Sequence, residues 1–204
     1  MKHNHIILLF VLLLTLAVST ACCAQDEFVP GTRTSDSYIN ESIGIRFDIG
    51  NNYTMATDEE IQQLMGLGAS MANTQIDNLS QLIELANITT LYEMMATNLS
   101  DGSSIIVIAE KPILSGTTMD QYVAAYLNSL QTMYTVSEDI NSSVEKFCGR
   151  EWNLYSYNIS VSGFTLLYET YFTKVGDRFI TLNLSGLSND ALATVASFIS
   201  CTEQ

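Results

Sequence analysis

The stretch from Phe164 to Leu184, FTLLYETYFTKVGDRFITLNL, decides the fold of this chain. Two runs of mostly β-branched, aromatic and aliphatic residues, 164–174 and 178–184, flank the short connection Val175-Gly176-Asp177. Two such runs separated by a few residues that include glycine predict a β-hairpin. Because strands joined by a hairpin run antiparallel, the stretch predicts an antiparallel sheet.

Strand patterns also occur upstream of this hairpin. Apolar residues alternate with other side chains over 43–49, which is the period of two of a half-buried strand. Residues 91–98 and 104–110 flank Asp101-Gly102, a dipeptide typical of hairpin turns. Shorter strand-like pieces follow, at 134–137, 144–148 and 152–160.

Three segments have helical patterns. The sequence Thr57-Asp58-Glu59-Glu60 is a capping box and predicts a helix that ends near Met65. Thr118 begins a second helix, whose apolar residues recur at helical spacing as far as Met133. Ser188 caps a third helix that is predicted to run to Ser200. The segment 69–86 is either helical or loop-like.

Together these elements predict an α+β fold. An antiparallel β-sheet meander has helices packed on its faces, because amphipathic helices must bury their apolar sides against the sheet. We expect one domain over residues 38–204, since a chain of this length suits a single core.

Four stretches of the chain carry a resemblance to a known family. They are 38–47 (YINESIGIRF), the helix 57–65, 147–152 (FCGREW), and the closing run 174–200. This pattern resembles the PsbP/Mog1-like α/β/α sandwich, which also occurs in small lipoproteins of Firmicutes. The resemblance implies an accessory or binding role without catalysis. The Met- and Leu-rich insertion at 64–85 departs from the family pattern.

The first residues of the chain are typical of an export signal. Lys2 precedes an apolar run over 6–18, and small residues follow it, so residues 1–21 are interpreted as a signal peptide. The sequence Ser19-Thr20-Ala21-Cys22 resembles a bacterial lipobox, in which the cysteine is lipidated, although Ser19 replaces the usual aliphatic residue. The alternative is ordinary cleavage after Ala21 or Ala24 and a secreted protein without lipid. If Cys22 is lipidated, residues 22–37 form a polar tether between the anchor and the domain.

Composition and charge exclude several functions. The chain has 8 Lys and Arg against 22 Asp and Glu, a formal charge of −14, so nucleic acid is not an expected partner. The two histidines, His3 and His5, belong to the leader. A mature chain without imidazole has neither a Ser-His-Asp triad nor a histidine metal site, and we expect no metal and no cofactor.

Cys148 and Cys201 are the two cysteines downstream of the leader region. In an exported protein, an even count suits a disulfide. Two buried free thiols fit the sequence equally well. Catalysis by either thiol is not expected, because no histidine is present to lower its pKa.

Aromatic residues suggest where a ligand could bind. Trp152, Tyr155 and Tyr157 lie on one predicted strand and form a candidate binding surface, with the alternative that they pack under helices. In a strand, Tyr155 and Tyr157 share one face, and Trp152 lies on the other.

These observations predict an exported, lipid-anchored binding or accessory module on the outer face of the cytoplasmic membrane. Its partner would be an unidentified protein or small molecule. The first alternative is a carboxylate-dependent hydrolase, since acids are plentiful. The second is a secreted, N-glycosylated eukaryotic protein, because Asn-x-Ser/Thr occurs at Asn40, Asn52, Asn78, Asn87, Asn98, Asn141, Asn158 and Asn183.

Overall fold

The computed structural model describes residues 27–50, 52–63, 89–161 and 163–202. The predicted signal peptide, the predicted lipidation site Cys22 and the segment 69–86 lie outside the described residues. Within the described ranges, no helix is long and apolar enough to cross a membrane.

The described residues form strands and helices in a mixed order along the chain. Residues 58–63 are the described part of helix α1, and the other helices are α2 (Met119–Met133) and α3 (Asn189–Ala196). The strands are β1 (Thr32–Arg33), β2 (Ser37–Asn40), β3 (Ile45–Asp48), β4 (Tyr53–Met55), β5 (Thr90–Asn98), β6 (Ser104–Glu110), β7 (Thr135–Val136), β8 (Asn141–Phe147), β9 (Arg150–Val161), β10 (Phe164–Val175), β11 (Arg178–Gly186) and β12 (Ile199–Cys201).

The strands form two antiparallel sheets. The larger sheet has the order β4-β5-β6-β11-β10-β9-β7, and β8 also pairs with β9. The smaller sheet has the order β1-β2-β3-β12. The predicted α+β class with an antiparallel meander is therefore confirmed.

The β10–β11 hairpin lies in the middle of the larger sheet. Its register runs from Leu167 opposite Gly186 to Val175 opposite Arg178. This leaves Gly176 and Asp177 as a two-residue turn, and Gly176 has a φ of 58°. A tight hairpin turn needs a positive φ at this position, which glycine adopts without steric cost.

The larger sheet is covered on both faces, so β11 is buried along most of its length. Ile180, Leu182 and Leu184 belong to the main hydrophobic core, together with residues of the smaller sheet and α3. The alternate residues Phe179 and Asn183 face α2, because successive side chains of a strand point to opposite faces.

The predicted third helix is too long. Helix α3 ends at Ala196, and Ile199–Cys201 instead forms β12, which pairs with β3. Phe198 redirects the chain, since its ring packs edge-on against Tyr53 with the centroids 5.0 Å apart. Pairing with the free edge of β3 provides backbone hydrogen bonds that outweigh the helical spacing of the sequence.

The predicted tether is also wrong over its described part. Residues 27–37 belong to the folded domain, where Thr32 and Arg33 pair with Ile39 and Tyr38 as the outer strand of the smaller sheet. Phe28 packs against the main core. The chain therefore joins the domain about ten residues earlier than its polar composition predicts.

Candidate functional site

The three residues of the predicted aromatic surface do not share a face. The side chain of Trp152 is fully buried in the main core, where its ring stacks on Phe147 with the centroids 4.8 Å apart. Tyr155 and Tyr157 lie on the other face of the sheet, beneath α2. The two tyrosines therefore belong to the helix–sheet interface, and Trp152 is a core residue.

Helix α2 begins with a capping box. The Thr118 hydroxyl accepts a hydrogen bond from the Gln121 backbone N–H, and the Gln121 side chain accepts one from the Thr118 N–H. One turn further, Tyr122 stacks on Phe179 with ring centroids 4.4 Å apart, and its hydroxyl donates to Glu110 Oε2 over 3.0 Å. The cap thus fixes the start of the helix where Tyr122 reaches the sheet.

A chain of hydroxyl groups continues beneath the helix. Tyr126 Oη donates to Asn183 Oδ1 over 3.1 Å, and Thr170 Oγ1 donates to the same oxygen over 2.7 Å. The hydroxyls of Tyr157 and Thr170 are 2.8 Å apart. We call Tyr122, Tyr126, Tyr157, Thr170 and Asn183 the tyrosine network. Each of its hydroxyl groups is hydrogen-bonded to another side chain of the interface, which is how buried polar groups are normally satisfied.

Burial beneath the helix raises the pKa values of the tyrosines in the network. Loss of solvation raises the pKa of Tyr157 to about 12 and holds the pKa of Tyr126 well above its ordinary value. The neutral phenol is therefore the form that the folded protein stabilises.

The tyrosine network predicts a loss of stability at alkaline pH. Because the pKa of Tyr157 is higher in the folded than in the unfolded chain, its contribution is complete below pH 10 and is lost as the pH rises toward 12. Urea unfolding at pH 8, 10 and 11.5 measures this effect. We expect the free energy of unfolding to fall above pH 10, and to fall less steeply in Tyr157→Phe. Equal slopes in the two proteins would contradict the prediction.

A buried carboxylate holds the N-terminal segment on the domain. A β-bulge between Tyr92 and Met94 interrupts the β5–β6 register, and Glu93 lies in it, 8% exposed. Glu93 Oε2 accepts hydrogen bonds from the Gly31 N–H (2.6 Å), Tyr38 Oη (3.1 Å) and Asn40 Nδ2 (3.3 Å). Burial, and secondly the Glu93 carboxylate, raises the pKa of Tyr38. The carboxylate thus joins β5 to the smaller sheet.

We call residues 28–33 the N-terminal strap. The guanidinium carbon of Arg178 lies 5.4 Å from the centroid of the Phe28 ring, and Arg33 forms an ion pair with Asp58. A Cβ at Gly31 would lie 2.5 Å from Tyr38 Cε2, so only glycine fits the close approach. The strap is therefore held along its length by side chains of the domain.

A disulfide joins Cys148 to Cys201, with the Cα atoms 4.9 Å apart. It links the β8–β9 turn to β12. Beside it is a cavity of about 420 Å³, whose apolar lining includes Phe147, Leu154 and Tyr171. A cavity of this size and lining is within the range of small-molecule sites.

Removing the disulfide is expected to destabilise the domain. The two cysteines are 53 residues apart in sequence, and release of a loop of that length costs about 4 kcal/mol on the chain-entropy account. The double variant Cys148→Ser/Cys201→Ser should therefore unfold at a lower urea concentration than the oxidised wild type. An unchanged midpoint would show that the bridge does not form or does not constrain the unfolded chain.

In three of the Asn-x-Ser/Thr sites, the asparagine side chain is buried in the folded protein. Asn40, Asn98 and Asn183 are 1%, 6% and 7% exposed. Their side chains are bonded within the domain, for example Asn98 Nδ2 to Asp101 Oδ2 over 3.1 Å. A glycan cannot be attached to these side chains in the folded protein.

No protein-family model and no curated protein matches the sequence. Among solved structures, the chain is similar to the solution structure of cyanobacterial PsbP (CyanoP) from Synechocystis sp. PCC 6803. The TM-score is 0.46 and the sequence identity 14%, with 85% of this chain and 97% of that chain covered. At this identity and TM-score, the likeness transfers no function to the chain.

In the described part of the chain, no three His, Cys, Asp or Glu side chains lie close enough together to hold a metal ion. The polar groups described above are engaged with one another. The arrangement can present apolar surface and the cavity beside the disulfide to a ligand.

Proposed function

We propose that this protein is an exported, lipid-anchored binding or accessory module without catalytic activity of its own. Cys22 would carry the lipid, and the domain would stand on the outer face of the cytoplasmic membrane. The lipobox-like sequence Ser19-Thr20-Ala21-Cys22 motivates the anchor. A cysteine with a diacylglyceryl group has two acyl chains, which suffice for stable attachment.

The N-terminal strap is the observation that carries this proposal. Only five residues separate Cys22 from Phe28, which packs on the core. Six Cα–Cα steps span at most about 20 Å, so an anchored domain would be held close to the bilayer. A strap fixed at Gly31 and Arg33 suits a protein whose position on the membrane matters.

The engaged polar groups support binding rather than catalysis. Glu93 accepts three hydrogen bonds from the domain. A general acid needs a raised pKa, but ion pairing has the opposite effect on two carboxyls. Hydrogen bonding to Arg46 lowers the pKa of Asp48, and hydrogen bonding to Lys111 lowers that of Asp177.

Processing of the N-terminus tests the proposal. The full chain and its Cys22→Ala variant are expressed in a bacterium with lipoprotein processing, and Cys23→Ala provides a matched control. We expect the wild type and Cys23→Ala to be in the membrane fraction, with an intact mass that corresponds to a lipidated N-terminal Cys22. Cys22→Ala should carry no lipid. A wild-type protein cleaved after Ala24, or one bearing glycans in its native host, would overturn the proposal.

A further inference from the structure

The strap and the β9–β10 turn lie at opposite ends of the larger sheet. Phe28 contacts Arg178, which pairs with Val175 at one end of β10. Phe164 begins β10 at the other end, eleven residues away. A strand of this length spans about 35 Å. We call the end at Phe28 the anchor end and the end at Phe164 the distal end.

Exposed apolar side chains gather at the distal end. Phe164 is 65% exposed, and it pairs with Val161, which is 39% exposed. Helix α2 runs from Tyr122, near the anchor end, toward Met133 and Tyr134, which are 49% and 43% exposed. We call Met133, Tyr134, Val161 and Phe164 the distal patch.

The pairing of β7 with β9 brings the parts of this patch together. Thr135 is opposite Ser160, so Tyr134 lies next to the Val161–Phe164 turn. Tyr168 lies on the same face of β10 as Phe164. Burial, and secondly the nearby Tyr134, raises the pKa of Tyr168. An exposed cluster with two aromatic residues is unusual for a surface that contacts only water.

Charge at the two ends differs. Downstream of Lys2, the basic residues are Arg33, Arg46, Lys111, Lys146, Arg150, Lys174 and Arg178, so none occurs in 112–145, 151–173 or 179–204. Lys174 and Arg178 flank the turn at the anchor end. Near the distal end, the exposed acids are Glu138 and Asp139, which follow β7, and Asp190 in the first turn of α3.

We propose that the distal patch is a docking surface for a protein partner whose contact area is apolar and rimmed with Lys or Arg. The proposal rests on the anchoring proposed above, because an anchor at Cys22 directs the opposite end away from the membrane. Complementary charge around an apolar centre is the usual arrangement of a specific interface. A second copy of the chain is disfavoured as the occupant, because it would bring the acids of two distal ends together. The bilayer is disfavoured because it lies at the anchor end.

In-cell photo-crosslinking tests the docking surface. A photoreactive amino acid is placed at position 164 of the full chain in its native host, or at Ile113, which is 70% exposed near the anchor end, as a control. We expect an adduct with another protein at 164 and none at 113. The double variant Glu138→Lys/Asp139→Lys should reduce this adduct at least about tenfold, because like charges now face each other. The proposal would be overturned by the absence of an adduct, or by an adduct with lipid or with a second copy of the chain. It would also be overturned if the double variant gave as much adduct as the wild type.

Affinity for the purified crosslinked protein gives a second readout. Phe164→Ser should weaken binding by about 30-fold, as expected for an aromatic residue at the centre of an interface. The matched variant Ile113→Ser should bind as the wild type does, and both should keep the wild-type thermal midpoint since both side chains are exposed. Equal affinity of the two variants would contradict the proposal. Lipidation of Cys22 is measured on the same samples, so a failure of anchoring is distinguished from a failure of docking.

Discussion

Glu93→Ala should lower the free energy of unfolding by about 3 kcal/mol or more, because it leaves buried donors without an acceptor. The donors are the Gly31 N–H, the Tyr38 hydroxyl and the Asn40 amide, all of which bind Glu93 Oε2. The loss should be greatest at the N-terminal strap, which depends on this carboxylate. We therefore expect trypsin to cleave after Arg33 in the variant and not in the native wild type.

Glu169→Ala is the matched control for this substitution. Glu169 is partly buried, and its carboxylate accepts a hydrogen bond from Tyr171 Oη over 2.9 Å. Losing one such bond at a site open to water should cost about 1 kcal/mol. Urea unfolding and limited proteolysis compare the two variants. Two results together would contradict this account: a Glu93→Ala variant as stable as Glu169→Ala, and no trypsin cleavage after Arg33 in it. The strap would then not be held by Glu93.

Trp152→Ala should cost about 3–5 kcal/mol, the usual range for removing a large aromatic side chain from a core. Trp152 is fully buried and stacks on Phe147, so its removal leaves a cavity between the sheet and the β8–β9 turn. Denaturant unfolding followed by far-UV circular dichroism measures the loss.

Tyr155→Ala is the control, since Tyr155 is half-buried on the opposite face and packs edge-on against Phe172. It should cost clearly less than Trp152→Ala. A Trp152→Ala protein with wild-type stability would place Trp152 on the surface, as the sequence-based hypothesis of an aromatic binding surface requires.

Elements with strong local signals could be predicted from the sequence. The β10–β11 hairpin is encoded by two strand-forming runs around Gly176, and α2 by its cap at Thr118 and its apolar spacing. The second tyrosine of the helix follows the first at i+4, which places Tyr122 and Tyr126 on one face. These features depend on neighbours in sequence, so local patterns suffice to find them.

Features that depend on distant contacts could not be predicted. The N-terminal strap contains only the two-residue strand β1, and its position is set by Glu93, which lies 62 residues after Gly31. Similarly, β12 forms because β3 offers an unpaired edge, a fact absent from the sequence of residues 199–201. An asparagine at 183, between Leu182 and Leu184, could have signalled a buried polar site. Its partners Tyr126 and Thr170 follow only from the register and the helix position.

The proposed anchor gives the domain an orientation on the membrane that can be measured directly. The lipidated protein, labelled at position 164 or at Asp177 by a noncanonical amino acid, is placed on a supported bilayer, and neutron reflectometry or fluorescence energy transfer gives the height of each label. We expect the label at 164 to be about 30 Å farther from the bilayer than the label at 177, given the length of β10. Equal heights, or a label at 164 in contact with lipid, would contradict an anchored module that binds its partner at the distal end.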